Sequence, residues 1–218
     1  HVATDASLTV ESTTLWRNFT ASGGGGLLNQ GSASLTNSTL TGNSAAGDGG
    51  GLSNLGTGTL MLRFVTITEN SAGGDGGGIS NLSESGIQMQ NSLLSNNTYT
   101  DGNSQDCAGV LTSLGYNLVT EISGCNFLPM DTDIINEISL ILPLADNGGP
   151  TPTHALWALS PAIDRIPTGE NGCGTQITND QRYVVRPLDA DEDGVARCDI
   201  GSVEMLEGST VIYSTYLS

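Results

Sequence analysis

The chain has 218 residues, and its 23 acidic residues outweigh 6 basic residues, so that the formal net charge is -17 at pH 7. All of the basic residues are Arg. This balance excludes nucleic acid as a partner, because phosphate binding needs clustered cations, and it disfavours an anionic membrane surface for the same reason. No apolar run approaches the roughly 18 to 20 residues that cross a bilayer, so we expect no membrane insertion.

The first half of the chain is an internal repeat. Asn18, Asn43, Asn70 and Asn97 are separated by 25, 27 and 27 residues, and a Gly-rich phrase recurs as GGGLLN, GGGLSN and GGGISN at similar spacing. The same spacing predicts three aliphatic columns, formed by Leu27, Leu52 and Ile79, by Leu35, Leu60 and Ile87, and by Leu15, Leu40, Ile67 and Leu94. A fixed period of this length is typical of stacked structural repeats.

Each repeat contains short stretches in which apolar residues alternate with Ser and Thr, which favours strands over helices. Gly and Asn, which tolerate left-handed backbone, separate these stretches. We therefore predict an all-β chain in which about four short coils of a parallel β-helix occupy residues 1–105. Residues 106–218 are predicted to form an irregular, loop-rich, disulfide-containing part that packs on or caps the solenoid.

The Asn columns have a structural explanation, because Asn at equivalent turns can bond to its neighbours in the coils above and below. A second column of this kind contains Asn29, Asn54 and Asn81. Asp48 and Asp75 occur in GDGGG one repeat apart, where they could hold a cation between coils, but an ordinary Gly-Asp-Gly turn is the favoured interpretation.

Distinctive phrases follow the repeat, namely LADNGGPTPTHAL at 144–156, SPAID at 160–164, and DIG at 199–201 with Glu204. With the repeats, these phrases resemble the choice-of-anchor Q proteins, which are bacterial surface or secreted proteins. The resemblance implies a right-handed β-helix related in shape to pectate lyases, and an extracellular or cell-surface location, but no defined reaction. Tyr183 and Ser202 depart from the family pattern, which has Gly and Ala there.

The four Cys residues make an even count and all lie in the second half of the chain. Pairing by proximity joins Cys107 with Cys125 and Cys173 with Cys198, one of three possible connectivities. Two such disulfides imply an oxidising compartment. Zinc binding is the rival interpretation, but the chain has no CxxC pair and no clustered second His.

Asp189, Asp191 and Asp193 precede Gly194 in a DxDxDG pattern, which is the opening of a calcium-binding loop. An EF-hand would place Glu at the twelfth position of the loop, where this chain has Ile. Asp199 lies one position earlier and can substitute as the fourth ligand, and Glu192 and Glu204 are alternative contributors. We therefore predict a structural Ca²⁺ site at these four residues, with a solvated acidic turn as the alternative.

Catalytic constellations are weak. Arg17 and Arg63 are the only candidate bases in the repeat and occupy different places in their coils. His154, Ser160 and Asp164 could form a hydrolase triad, but SPAID is not a nucleophile elbow, and His154 is interpreted as a packing or hydrogen-bonding residue.

The ends of the solenoid suggest assembly. No N-terminal cap is recognisable, and the C-terminal sequence STVIYSTYLS, with Val211, Tyr213 and Tyr216, is typical of a strand that pairs with another subunit. Head-to-tail contact between unlike ends generates filaments.

We therefore expect a non-catalytic extracellular structural protein that forms homo-oligomers through its terminal strands. A piece of a longer surface protein would have an open first coil as well. The alternative function is a carbohydrate-active β-helix, either a lyase or hydrolase or a glycan binder, in which Trp16 and Trp157 could stack on sugars.

Overall fold

A computed structural model describes residues 1–83, 85–99 and 103–206. Apart from one 3₁₀ turn at Glu170–Gly172, the regular elements of these residues are strands. They are β1 (Ser7–Glu11), β2 (Thr14–Trp16), β3 (Phe19–Thr20), β4 (Leu27–Asn29), β5 (Ser32–Thr41), β6 (Ser44–Ala45), β7 (Leu52–Gly56), β8 (Thr59–Thr68), β9 (Ser71–Ala72), β10 (Ile79–Ser83), β11 (Ile87–Gln90), β12 (Leu93–Ser95), β13 (Thr98–Tyr99), β14 (Asn103–Ser104), β15 (Cys107–Ser113), β16 (Leu118–Val119), β17 (Cys125–Leu128), β18 (Ile134–Ile135), β19 (Ile166–Pro167) and β20 (Arg197–Cys198).

The strands stack as the coils of a parallel β-solenoid, which confirms the predicted fold class. β1 and β2 pair in parallel with β5, β5 pairs with β8, and β8 pairs with β11 and β12. Two more parallel stacks run from β4 through β7 to β10 and from β3 through β6 to β9. Each strand therefore lies directly over its counterpart one repeat away.

Two predicted aliphatic columns are confirmed in full. In the first, Leu52 pairs with Leu27 on one side and with Ile79 on the other. The second runs through Leu40. Leu40 pairs with Leu15 on one side and with Ile67 on the other, and Ile67 pairs with Leu94. Beyond Leu94 the same column continues through Val119 and Ile135. Leu40, Ile67 and Leu94 have no exposed surface, so the column forms part of a continuous apolar core inside the coil.

The predicted column of Leu35, Leu60 and Ile87 is wrong at its first member. Leu35 pairs with Leu62, whereas Leu60 pairs with Ala33. The cause is an insertion in the second coil: Asn54 lies 25 residues after its partner Asn29, but Thr59 lies 27 residues after its partner Ser32. Two additional residues therefore lie between Asn54 and Thr59, and β7 extends to Gly56. The actual columns are Ala33, Leu60 and Ile87, and Leu35, Leu62 and Met89.

The strand ladder continues beyond residue 105, where the composition changes. β15 pairs with β10 and β11, β16 pairs with β12, and two further short strands, β17 and β18, pair with β15 and β16. Residues 139–206, called here the flank segment, contain one short antiparallel strand pair, β19 and β20, and the 3₁₀ turn between them in sequence. The flank segment packs against the outside of the coils through a second apolar cluster, which includes Phe64, Leu93, Leu118, Leu156, Ile166, Ile200 and Val203.

Both predicted disulfides are present. Cys107 in β15 is bonded to Cys125 in β17, with a Cα–Cα distance of 5.3 Å, so this bond joins adjacent layers of the solenoid. Cys173 is bonded to Cys198 with a Cα–Cα distance of 6.0 Å, and this bond lies within the flank segment. Two disulfides indicate a protein that folds outside the reducing cytoplasm. The predicted C-terminal strand with Val211, Tyr213 and Tyr216 lies outside the described residues.

The column predicts a large difference between two aliphatic truncations. Ile67→Ala removes a fully buried side chain between Leu40 and Leu94, and we expect the free energy of unfolding to fall by about 2 to 5 kcal/mol. Leu82→Ala, at a side chain that is 60% exposed in β10, should change it by less than about 0.5 kcal/mol. Chemical denaturation of both variants measures this difference, and equal losses would contradict the stacked core.

Candidate functional site

A ladder of Asn side chains connects the coils. The Nδ2 of Asn18 donates to the Oδ1 of Asn43 at 2.9 Å, and the same bond recurs from Asn43 to Asn70 and from Asn70 to Asn97. Each of these Oδ1 atoms also accepts the backbone N–H of the preceding Asn at 3.0 Å. The ladder confirms the structural explanation of this Asn column, since buried amides need partners and find them in the next coil.

The second Asn column forms a similar ladder. The Nδ2 of Asn29 donates to the Oδ1 of Asn54 at 2.7 Å, and the Nδ2 of Asn54 donates to the Oδ1 of Asn81 at 3.0 Å. Asn81 then donates to the carbonyl of Val110 at 2.6 Å. Both Asn columns therefore form hydrogen bonds that connect successive coils.

Asp106 terminates the first ladder. Its Oδ1 accepts from the backbone N–H of Asn97 at 3.0 Å and from the Nδ2 of Asn97 at 2.8 Å, and its Oδ2 accepts the backbone N–H of Glu121 at 2.9 Å. The side chain is completely buried, and burial raises the pKa of Asp106 to about 6, against the opposing effect of these hydrogen bonds. Because it sits nine residues after Asn97, outside the period of the repeat, the sequence did not reveal it.

The N-terminal end of the solenoid, formed by β1 and β2, has an open edge. Among the described residues both strands pair only with β5. Leu8, Val10 and Leu15 contact the core but are only partly buried, and Phe19 in the neighbouring β3 is 73% exposed. The first coil therefore presents unpaired backbone and apolar side chains along the solenoid axis.

The opposite end, formed by β17 and β18, is open in the same sense. Within the described part of the chain, β17 pairs only with β15 and β18 only with β16. Ile122 and Ile135 are partly buried at this end, while Leu128 and Met130 are exposed. The two ends thus have similar backbone edges that point in opposite directions along the axis.

The predicted calcium residues separate into two groups. Carboxylate oxygens of Asp189 and Asp191 lie within 4.8 Å of each other and of one from Asp164, a residue that the loop pattern did not include. Asp193 instead forms an ion pair with Arg197 at 2.9 Å. Asp199 is buried, and its two oxygens accept the backbone N–H groups of Asp164 and Met205. Of the four predicted residues, only Asp189 and Asp191 belong to the three-carboxylate group.

A buried charge network holds the flank segment together. Arg182 pairs with Asp180 at 2.6 Å, and Arg186 pairs with Glu204 and lies 4.1 Å over the ring centre of Phe64 in β8. Burial raises the pKa of Glu204 to about 7. Asp180, Arg182 and Arg186 lie close together in the chain, and Glu204 follows the DIG phrase by three residues. No spacing in the sequence predicted this structural role for them.

The residues considered as a hydrolase triad, His154, Ser160 and Asp164, form hydrogen bonds with other parts of the chain. His154 is buried, and its ring nitrogens contact the carbonyl of Leu142 at 2.8 Å and the Oγ1 of Thr41 at 2.9 Å. The Oγ of Ser160 donates to the carbonyl of Ser139 at 2.5 Å. The interpretation of His154 as a hydrogen-bonding residue is confirmed, because it joins the flank segment to β5.

The remaining candidates are distributed over separate places. Trp16 is partly exposed at the N-terminal end with the Arg17 guanidinium 4.7 Å above its ring, whereas Trp157 lies in the flank segment. Arg63 borders a cavity of about 230 Å³ between β8 and the flank segment. The Oδ1 of Asp48 accepts the backbone N–H of Asp75 at 2.8 Å, as expected for a turn stacked on the next turn.

Comparisons with protein-family models, with curated proteins and with solved structures find no match to this chain. Membership of the choice-of-anchor Q family therefore stays a prediction. In the described residues, no helix is long and apolar enough to cross a membrane.

Asp106 predicts a pH dependence of stability. Because its pKa is raised from 3.8 to about 6, the folded chain binds this proton more tightly than the unfolded chain does. The resulting stabilisation is complete at pH values below the pKa of Asp106 in the unfolded chain. It is lost as the pH rises through the pKa of Asp106 in the folded chain. We expect the free energy of unfolding to be about 1 to 1.5 kcal/mol higher at pH 5 than at pH 8 through this group.

Asp106→Asn provides the control, because the amide keeps an acceptor for Asn97 but does not titrate. Denaturation of both proteins at the two pH values, in high salt to screen the surface charge, isolates the contribution of this carboxyl. A carboxyl pKa near or below 4 by carbon NMR titration would contradict the assignment.

Proposed function

We propose that the protein is a non-catalytic structural subunit of an extracellular or bacterial cell-surface assembly, in which copies associate head to tail. The observation that supports this most is the pair of parallel strand edges, at β1 and β2 on one end and at β17 and β18 on the other, that have no further partner among the described residues. An unpaired strand edge is a template for another strand. Unlike ends that join without closing produce a filament.

The apolar interior supports the same proposal. Stability in a solenoid comes from contacts between neighbouring repeats, so an end coil lacks half of its contacts. At the N-terminal end, Leu8, Val10 and Leu15 occupy the inward positions of the coil but remain partly exposed. A copy placed end to end would cover them with the Ile122 and Ile135 end of its neighbour. The aliphatic columns would then continue from one copy to the next.

The roles of the polar residues favour a structural function over catalysis. The Asn columns bond between coils, and His154 and Ser160 bond to neighbouring parts of the fold. The disulfides fit an extracellular position. An adhesive or scaffolding protein needs a stable fold of this kind and no catalytic group.

Charge sets the condition for assembly. A chain with a net charge of -17 repels its own copies, and this repulsion is screened over about 8 Å at physiological ionic strength and about 3 Å at 1 M salt. Head-to-tail association should therefore strengthen as salt increases. The hydrophobic contact at the ends is short-range and is not weakened by screening.

Thr9→Pro tests the proposal. The carbonyl of Ala6 accepts the backbone N–H of Ser32 in β5, so the backbone of Ala6 faces β5. Successive residues of a strand direct their backbone groups to opposite edges, and the N–H of Thr9, three residues later, therefore points to the open edge. Proline removes that donor while leaving the bonds to β5 in place. By sedimentation velocity and electron microscopy over a range of salt, we expect elongated oligomers of the wild type. Association should be at least about tenfold weaker in the variant.

Leu82→Lys is the matched control, because β10 already has partners on both edges, β7 and β15, and the Leu82 side chain is exposed. This variant should assemble as the wild type does. A wild type that stays monomeric at high concentration in all salts would contradict the proposal, as would a folded Thr9→Pro variant that assembles normally.

The alternative is a carbohydrate-active solenoid. A shallow groove of about 330 Å³ runs across β5, β8 and the turn before β11, and hydroxyl and amide groups of Ser32, Ser34, Thr59 and Gln88 line it. Such groups suit neutral sugars better than uronates, which the acidic chain repels. Incubation with neutral and uronic polysaccharides, followed by assays for binding, unsaturated ends and reducing sugars, distinguishes this alternative from a purely structural function.

A further inference from the structure

Three carboxylates converge near the antiparallel pair of β19 and β20. Asp164 lies just before β19, and Asp189 and Asp191 lie in the loop that leads to β20. One oxygen from each lies within 4.8 Å of the others. Two oxygens bound to one Ca²⁺ at about 2.4 Å can be no farther apart than this, so the three atoms can share a single ion.

Asp164 has an oxygen that the protein leaves without a partner. Its side chain is only 7% exposed, its Oδ2 accepts the backbone N–H of Asp191 at 2.8 Å, and its Oδ1 is buried without a hydrogen bond. A buried carboxylate oxygen without a partner is costly, because it has lost water and gained nothing in exchange. A cation held between Asp164 and the two neighbouring carboxylates would supply such a partner.

The Arg side chains do not supply that charge. Arg197 is the nearest candidate in the loop, but it forms its ion pair with Asp193. The other ion pairs of the described residues join Arg182 to Asp180 and Arg186 to Glu204. Within the described part of the chain, no Arg forms an ion pair with any of the three carboxylates, although Arg197 attracts Asp191 and Asp164 from a longer distance.

We propose that Asp164, Asp189 and Asp191 form a Ca²⁺ site that fastens the 189–194 loop to the turn before β19. Oxygen ligands alone favour Ca²⁺ or Mg²⁺ over transition metals, and Ca²⁺ is the better candidate because it accepts irregular geometry, whereas Mg²⁺ demands a near-ideal octahedron and keeps several waters. Asp193 and Asp199 are not ligands, because the first is bound to Arg197 and the second to backbone N–H groups. This differs from an EF-hand-like loop, in which Asp193 would bind the ion.

The site is independent of the open ends and is structural. It lies in the flank segment beside the Cys173–Cys198 disulfide, since Cys198 belongs to β20 and pairs with Ile166 in β19. A cation there would connect the loop to the turn before β19, in addition to the link that the disulfide makes. Ion binding should therefore stabilise the flank segment whether or not the copies assemble.

Calorimetric titration of the chelator-treated full chain with CaCl₂, and with MgCl₂ in parallel, tests the site. We expect one Ca²⁺ bound with an affinity of about 0.1 to 1 mM, as in extracellular modules, and weaker Mg²⁺ binding. About 10 mM Ca²⁺ should raise the Tm by roughly 3 to 10 °C. Asp164→Asn and Asp191→Asn should each weaken binding at least about tenfold.

Asp193→Asn is the matched control, because it removes a charge from the same loop but leaves the three proposed ligands intact. It should bind Ca²⁺ as the wild type does. Asp191 is exposed, so Asp191→Asn keeps the test valid if Asp164→Asn does not fold. No Ca²⁺ binding by the folded wild type, tighter binding of Mg²⁺ than of Ca²⁺, or a loss in Asp193→Asn equal to that in Asp191→Asn would overturn the proposal.

Discussion

Parallel pairing between successive coils requires that equivalent residues lie directly above one another. Strands in a sheet are separated by about 4.8 Å, which is the distance at which stacked aliphatic side chains make close contact and stacked amides form hydrogen bonds. The same constraint therefore produces the column of Leu15, Leu40, Ile67 and Leu94 inside the coil and the Asn ladder at its corner. It also explains the open ends, since a repeat that is satisfied only by its neighbours leaves the first and last copies incomplete.

The flank segment is irregular, yet it covers the outside of the regular coils. It does so with polar contacts as much as with apolar packing. Thr39 bonds to Gln181 at 2.6 Å, Thr66 accepts the backbone N–H of Ser202 at 3.0 Å, and Arg186 lies over the Phe64 ring. Buried charge pairs contribute little net stability but are costly to break, so these contacts fix the position of the segment more than they strengthen the fold.

The sequence predicts what is periodic and misses what is not. The column through Leu40 and Ile67 follows from spacing alone, as does the Asn ladder. The misplaced Leu35 shows the limit, because an insertion of two residues shifts every later position without changing the local pattern. The DxDxDG pattern located the acidic loop, but Asp164 comes from a distant turn and only the fold brings it there. Asp106 was missed because it is a carboxylate at the end of an amide ladder.

Hydrogen exchange shows whether the inter-coil ladders hold the solenoid together. The backbone N–H and the side-chain amide of Asn70 both donate to Asn97 in the next coil, and both are buried. We expect these protons, followed by NMR, to exchange only through global unfolding, so that the free energy from exchange equals the free energy of unfolding from denaturation. The side-chain amide of Asn18, at the open end, should exchange much faster. Rapid exchange at Asn70 in the folded protein, comparable to that at Asn18, would show that the ladders do not hold the coils together.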